Sequence, residues 1–98
     1  MIKRVPLRDS AQVQVTFALP PHAVAANVSV VGDFNDWDPG AHPFRLRSNG
    51  TRSVTLTLPA GERFAFRYLD ETGQWFDDDS ADAFEPNGIG GKNGVIAT

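Results

Sequence analysis

A chain of 98 residues is enough for one domain, and a hydrophobic content of 41% supplies one core, which argues against disorder. A net charge of −3, with nine scattered basic residues, excludes a nucleic-acid stripe and a polybasic membrane patch. The absence of cysteine excludes disulfides and thiolate chemistry.

Residues 1–11 are an N-terminal segment that can add an edge strand through Ile2, Val5 and Leu7. The segment opens with charge and has no apolar stretch behind it, so no signal peptide is expected. No apolar run approaches the ~20 residues of a membrane span. The expectation is a cytoplasmic protein with neither nucleic acid nor membrane as a partner.

Residues 12–98 read as a succession of short strands. From Gln12 to Leu19, Val13, Val15, Phe17 and Leu19 alternate onto one face, and Pro20-Pro21 ends the strand because proline lacks the ladder donor. Asn27–Val31 is the next strand. Phe44–Arg47 is a short one, closed by Ser48-Asn49-Gly50, a strong hairpin signal. Val54, Leu56 and Leu58 then alternate inward before Pro59-Ala60-Gly61 turns the chain. In the following strand Phe64, Phe66 and Tyr68 share one face, with Arg63, Ala65, Arg67 and Leu69 on the other. Asp70–Gly73 makes a hairpin loop, Gln74–Phe76 returns, and Val95–Ala97 closes the sheet. Residues 77–94, rich in Asp, Gly and Asn, read as loop. Turn signals every ~8–12 residues, with no helical stripe, predict an all-β, immunoglobulin-like sandwich of about seven to eight strands.

Enzymatic constellations are poor, and the chain is expected to be no enzyme. His22 and His42 sit beside prolines in loops, and no serine lies in a nucleophile elbow. Asp77, Asp78, Asp79, Asp82 and Glu85 do not follow an EF-hand spacing, so a solvated acidic loop without metal is expected. Gly88–Lys92 has no following helix to complete a phosphate loop. No cofactor is implied.

The most informative run is Val30–Pro39, where a strand passes into a turn that contains Phe34 and Trp37. An aromatic in a turn either folds onto the core or is displayed. Alternation sends Phe34 inward, whereas Trp37 falls outside it and is the better candidate for display. Trp75 and Phe76 are neighbours on one strand, so Phe76 in the core leaves Trp75 exposed. A glucose ring has an apolar face and a hydroxyl rim, suited to an aromatic plate flanked by planar polar groups. Trp37 and Trp75 are plate candidates, and Arg67, Lys92 and Asn93 are rim candidates.

The runs Val30–Asp38, Leu58-Pro59-Ala60-Gly61-Glu62, Phe66-Arg67-Tyr68, Gly73-Gln74-Trp75 and Gly91–Ile96, in this order and spacing, resemble carbohydrate-binding module family 48. These are the glycogen-binding, early-set modules found at the N-termini of isoamylases and branching enzymes and in the AMP-activated protein kinase β-subunit. The resemblance covers Gln12–Thr98. It implies that Trp37 and Trp75 stack on an α-glucan and that Asn93 hydrogen-bonds its hydroxyls. It also implies that Ile89 reaches through a bent chain, where the kinase-type module has leucine. Arg67 stands where that module has lysine, although the longer hairpin loop leaves Phe66 or Ala65 as other counterparts. The function so implied is a free-standing, non-catalytic module for glycogen, starch or maltooligosaccharides, with a glycogen-metabolising enzyme as a further partner. The rival is a protein-interaction module that keeps the sandwich and has lost the sugar site. Trp37 and Trp75 on one surface, with Asn93 at its edge, would favour sugar.

Overall fold

The computed structural model describes residues 1–8, 10–22 and 27–98. Asp9 of the N-terminal segment and residues 23–26 of the sandwich lie outside the described residues. The described residues contain nine strands: β1 (Ile2–Pro6), β2 (Gln12–Leu19), β3 (Val28–Gly32), β4 (Arg45–Leu46), β5 (Arg52–Pro59), β6 (Arg63–Asp70), β7 (Trp75–Phe76), β8 (Ala83–Pro86) and β9 (Lys92–Ala97). The helical content among the described residues is one 3-10 turn, Asp33–Asn35.

The strands form two antiparallel sheets. One is four-stranded in the order β1-β2-β5-β4, and the other is five-stranded in the order β3-β6-β9-β8, with β7 also on β6. In the second sheet β9 pairs with Arg63–Phe66 of β6, and β7 takes over at Tyr68 and Leu69. β3 pairs with the stretch Phe66–Asp70 along the opposite edge.

Period-two alternation builds the core between the sheets. Val13, Val15, Phe17 and Leu19 of β2 and Val54, Leu56 and Leu58 of β5 meet Val28, Val30, Phe66, Tyr68 and Ile96. Tyr68 is the largest fully buried side chain. Phe44 and Phe76 stand edge-on to its ring at 5.3 and 5.4 Å, a favoured aromatic geometry. Phe34 and Phe64 are half-buried and pack against the same core, 5.9 Å from each other. Phe34 reaches it through the 3-10 turn, not by continued strand alternation.

Two features depart from the sequence pattern. The ninth strand, β8, lies inside the stretch that reads as loop. Most of its side chains are exposed, so no apolar alternation marks it, and main-chain pairing with β9 holds it in place. The acidic residues at 77–82 are also not a uniformly solvated loop. Asp78 is buried and accepts a 2.7 Å hydrogen bond from the Tyr68 hydroxyl, because a phenol inside an apolar core needs a partner. Asp77 pairs with Arg67, and Asp82 with Arg4 of β1.

Burial by itself would raise the Asp78 carboxyl. Hydrogen bonds from Tyr68 and the Ser80 N–H, with the nearby Met1 amino group, outweigh it and hold Asp78 below the usual carboxylate range. Burial first, and then the hydrogen bond and charge of Asp78, push the Tyr68 phenol up.

Candidate functional site

The outer face of the five-stranded sheet is reached by the turn after β3. Gly32 opens this turn where two backbones nearly touch: a Cβ there would lie 2.4 Å from the Ala65 carbonyl oxygen. The two polar side chains of the 3-10 turn then fold it. Asn35 Oδ1 accepts from the Gly32 N–H at 3.1 Å, and Asn35 Nδ2 donates to the Val30 carbonyl at 3.1 Å. His42 Nδ1 lies 2.9 Å from the same Asn35 Nδ2, which ties the far end of the loop to the turn. Asp33 bridges two elements. Its Oδ2 accepts from the Ala65 N–H of β6 at 2.9 Å, and its Oδ1 accepts from the Trp37 indole N–H at 3.2 Å.

Trp37 itself has φ 58°, following Asp36 at 55°. A bulky residue in the left-handed region costs on the order of 1–3 kcal/mol and persists only where its surroundings enforce it. Here the Trp37 N–H donates to the Gly32 carbonyl at 3.0 Å while its indole is held by Asp33. The backbone conformation thus directs the half-buried ring away from the strand's alternation and over the sheet's outer side.

The β6–β7 hairpin places the second tryptophan. Asp70 Oδ1 accepts from the Thr72 hydroxyl at 2.6 Å and from the N–H groups of Thr72 and Gln74, closing the loop. These bonds, the Thr72 hydroxyl first, lower the Asp70 carboxyl. Trp75 then pairs with Leu69 and Phe76 with Tyr68, so Phe76 packs on the core and Trp75 stays exposed. Arg67, between Phe66 and Tyr68, lies on Trp75's side of the sheet. Its guanidinium carbon is 5.6 Å from the Trp75 ring centroid, and its Nε donates to Asp77 Oδ1 at 3.0 Å. Asp77 therefore restrains the cation that braces the tryptophan.

The third wall is the β8–β9 hairpin. Asn87 organises it: Asn87 Oδ1 accepts from the N–H groups of Ile89 and Gly91, both at 3.0 Å. The loop carries Ile89 outward, 88% exposed.

These three walls enclose a cleft of about 380 Å³ lined by Trp37, Arg67, Trp75, Asn87, Ile89 and Asn93. Five of the residues singled out from sequence lie together in it. The sixth, Lys92, is not among the lining residues; its ammonium stands 4.7 Å from the centroid of Phe84 on the neighbouring strand. Asn87 was not singled out, and neither were the positioning residues Asp33 and Asp77. A signal for Asn87 does exist, since Asn before Gly commonly bonds its own loop backbone. Among the described residues no cluster of His, Cys, Asp and Glu is arranged to hold a metal ion. No described helix is long and apolar enough to cross a membrane.

Two indoles, a guanidinium and two carboxamides thus line an open cleft on an immunoglobulin-like β-sandwich. The chain belongs to carbohydrate-binding module 48, the isoamylase N-terminal domain, whose profile matches residues 9–84. That match contains Trp37, Arg67 and Trp75 and stops before the β8–β9 loop.

Among its relatives is a 1,4-α-glucan branching enzyme of Nitrobacter hamburgensis, 43% identical over 56 residues, which are 56% of this chain and 8% of the enzyme. The branching enzyme of Pseudomonas putida is 46% identical over 52 residues, 50% of this chain and 7% of the enzyme. That of Ralstonia nicotianae is 60% identical over 37 residues, 38% of this chain and 5% of the enzyme. The matched stretches thus span less than a tenth of these relatives' lengths.

Proposed function

We propose that the chain is a non-catalytic module that binds α-1,4-glucans (glycogen, starch or maltooligosaccharides) in the cleft. One observation carries this reading: Trp37 and Trp75, from distant parts of the chain, line a single cleft with Arg67, Asn87, Ile89 and Asn93 around them. The indoles offer plates for the apolar faces of two sugar units. Arg67 and Asn93 offer donors and acceptors to the hydroxyl rim, and the exposed Ile89 can enter the hollow of a bent chain. Family membership supports a carbohydrate ligand in general, and the relatives named for acting on 1,4-α-glucan support this polymer in particular. A module of this kind would hold a glycogen-metabolising enzyme at its substrate.

Calorimetric titration with maltoheptaose, paired with tryptophan fluorescence, tests the reading. The expected dissociation constant is ~10 μM to 1 mM, or about −7 to −4 kcal/mol. Stacking on two rings and a few exposed hydrogen bonds is offset by ordering the sugar and the glycine-rich loop, which limits affinity. No heat and no fluorescence change at millimolar sugar would leave the protein-interaction module in its place.

A further inference from the structure

We propose that the glucan site continues past Trp75 into a second subsite, so that a longer chain is held at two places on the same face. The proposal rests on the glucan reading of the first cleft. A smaller pocket, of about 200 Å³, is lined by residues that include Asn27, Ser29, Pro39, Pro43, Leu69 and Glu71.

The two depressions are neighbours, lined by residues adjacent in register and in sequence. Leu69 of the second is the cross-strand partner of Trp75 in the first. Pro39 of the second follows Trp37 of the first by two residues in the same turn. Register extends the row further: Leu69 pairs with Ser29, and Ser29 bridges to Pro43. Pro43, Ser29, Leu69 and Trp75 therefore cross the outer face side by side, at the ~5 Å spacing of antiparallel neighbours.

The chemistry of the second pocket suits the same ligand. Pro39, Pro43 and Leu69 give an apolar floor for sugar C–H groups, and the Ser29 hydroxyl stands among them. At the rim the Glu71 carboxylate is already positioned. The Asn27 N–H donates to Glu71 Oε1 at 3.2 Å and Asn27 Nδ2 to Glu71 Oε2 at 3.4 Å. The Glu71 N–H returns a 2.9 Å bond to the Asn27 carbonyl. A carboxylate offers about four acceptor sites, so this one can still accept from sugar hydroxyls. Asp70 and Glu71 beside the floor disfavour an anionic ligand, and a neutral glucan meets no such penalty. With no aromatic ring, this subsite is the weaker of the two and acts through chain length.

A longer chain also gains affinity merely by offering more registers to one cleft, so length preference alone does not test the proposal. The test compares maltotriose with maltoheptaose by calorimetry on wild type, Leu69→Ala and Pro39→Ala, with circular dichroism to confirm folding. Both variants are expected to lose affinity for maltoheptaose by roughly threefold or more, with maltotriose affinity unchanged within about 1.5-fold, as removal of a peripheral contact predicts. Using two variants on separate elements guards against a displaced Trp75 ring, the cross-strand neighbour of Leu69. Loss of affinity for both sugars alike, or unchanged maltoheptaose affinity in folded variants, overturns the second subsite and leaves the first intact. Absence of binding by either sugar to wild type overturns the glucan reading itself.

Discussion

On β6, Phe66 and Tyr68 are buried in the core, while Arg67 between them braces Trp75 in the cleft. The same division runs across the five-stranded sheet. Its inner face carries Val28, Val30, Phe66, Tyr68 and Ile96 in contact with the other sheet, and its outer face carries Arg67, Trp75 and Asn93. Adjacent residues thus serve stability and recognition separately, because a strand sends successive side chains to opposite faces. The two faces also treat polar groups differently. Inside, a single hydroxyl must be matched by a single buried carboxylate. Outside, polar groups can stay open toward solvent, and those that are bonded, such as Arg67 to Asp77, serve to position a ring.

Substitutions on the two faces should therefore separate cleanly, and the inner face should give the largest effect. Phe66→Ala is expected to lower stability by ~3–5 kcal/mol through lost burial and an added cavity. That is a large share of the ~5–15 kcal/mol typical of a domain. Urea unfolding checks the loss. The fraction that remains folded should bind maltoheptaose with unaltered affinity; a changed intrinsic affinity would blur the boundary between the faces.

Asp78→Ala should cost ~1–3 kcal/mol, since it leaves the buried Tyr68 hydroxyl without its acceptor. The pair also predicts pH dependence. Asp78 titrates lower in the folded chain than in the unfolded chain. Its contribution is therefore present above the ordinary carboxylate pKa and is lost as pH falls through the lower folded value. Tyr68 is shifted the other way. Its contribution is full below the ordinary phenol value and declines as pH rises above it toward the raised folded value. Thermal melts across pH should show both limbs in wild type, and Asp78→Ala should weaken the acid limb.

On the outer face, Trp37→Ala and Trp75→Ala are each expected to weaken maltoheptaose binding at least about tenfold, or ~1.4 kcal/mol. Circular dichroism and urea midpoints should stay near wild type, because neither ring belongs to the core cluster. Binding that survives both changes would place the glucan elsewhere on the sandwich.

The smallest effect should come from Asn93→Ala. A rim hydrogen bond is partly replaced by solvent, so the loss should be ~0.5–1.5 kcal/mol, read from the same titration. A loss as large as that of a tryptophan would move the weight of recognition from stacking to the rim.

Much of the sandwich was legible from residue order. Val13 to Leu19, Val54 to Leu58 and Phe64 to Tyr68 repeat with period two, and a half-buried strand admits no other arrangement of such residues. That Trp75 and Phe76 take opposite faces followed from that period as well, and the structure showed that Phe76 is the one turned inward. The turn order and the family resemblance then singled out Trp37, Arg67, Ile89 and Asn93 as candidates. Composition and alternation, however, report only what a residue contributes to its own strand. β8 was missed because a strand with most of its side chains in water carries no apolar pattern. The burial of Asp78 was missed because its partner, Tyr68, is reached through a hairpin register and not through sequence proximity.

The tertiary structure alone decided which side chains share a surface. Gly32 can approach β6 only because its hydrogen leaves room beside the Ala65 carbonyl, and Asp33 can hold Trp37 only because β6 offers it the Ala65 N–H. The left-handed backbone at Trp37 follows from those contacts, and no local preference of tryptophan would have selected it. The sequence by itself determined the strands, their inward residues and the set of candidate side chains, because these depend on local periodicity and residue chemistry. The meeting of Trp37, Trp75, Arg67, Asn87, Ile89 and Asn93 depends on cross-strand register and on side-chain bonds between distant segments. Those exist only once the sheet has formed.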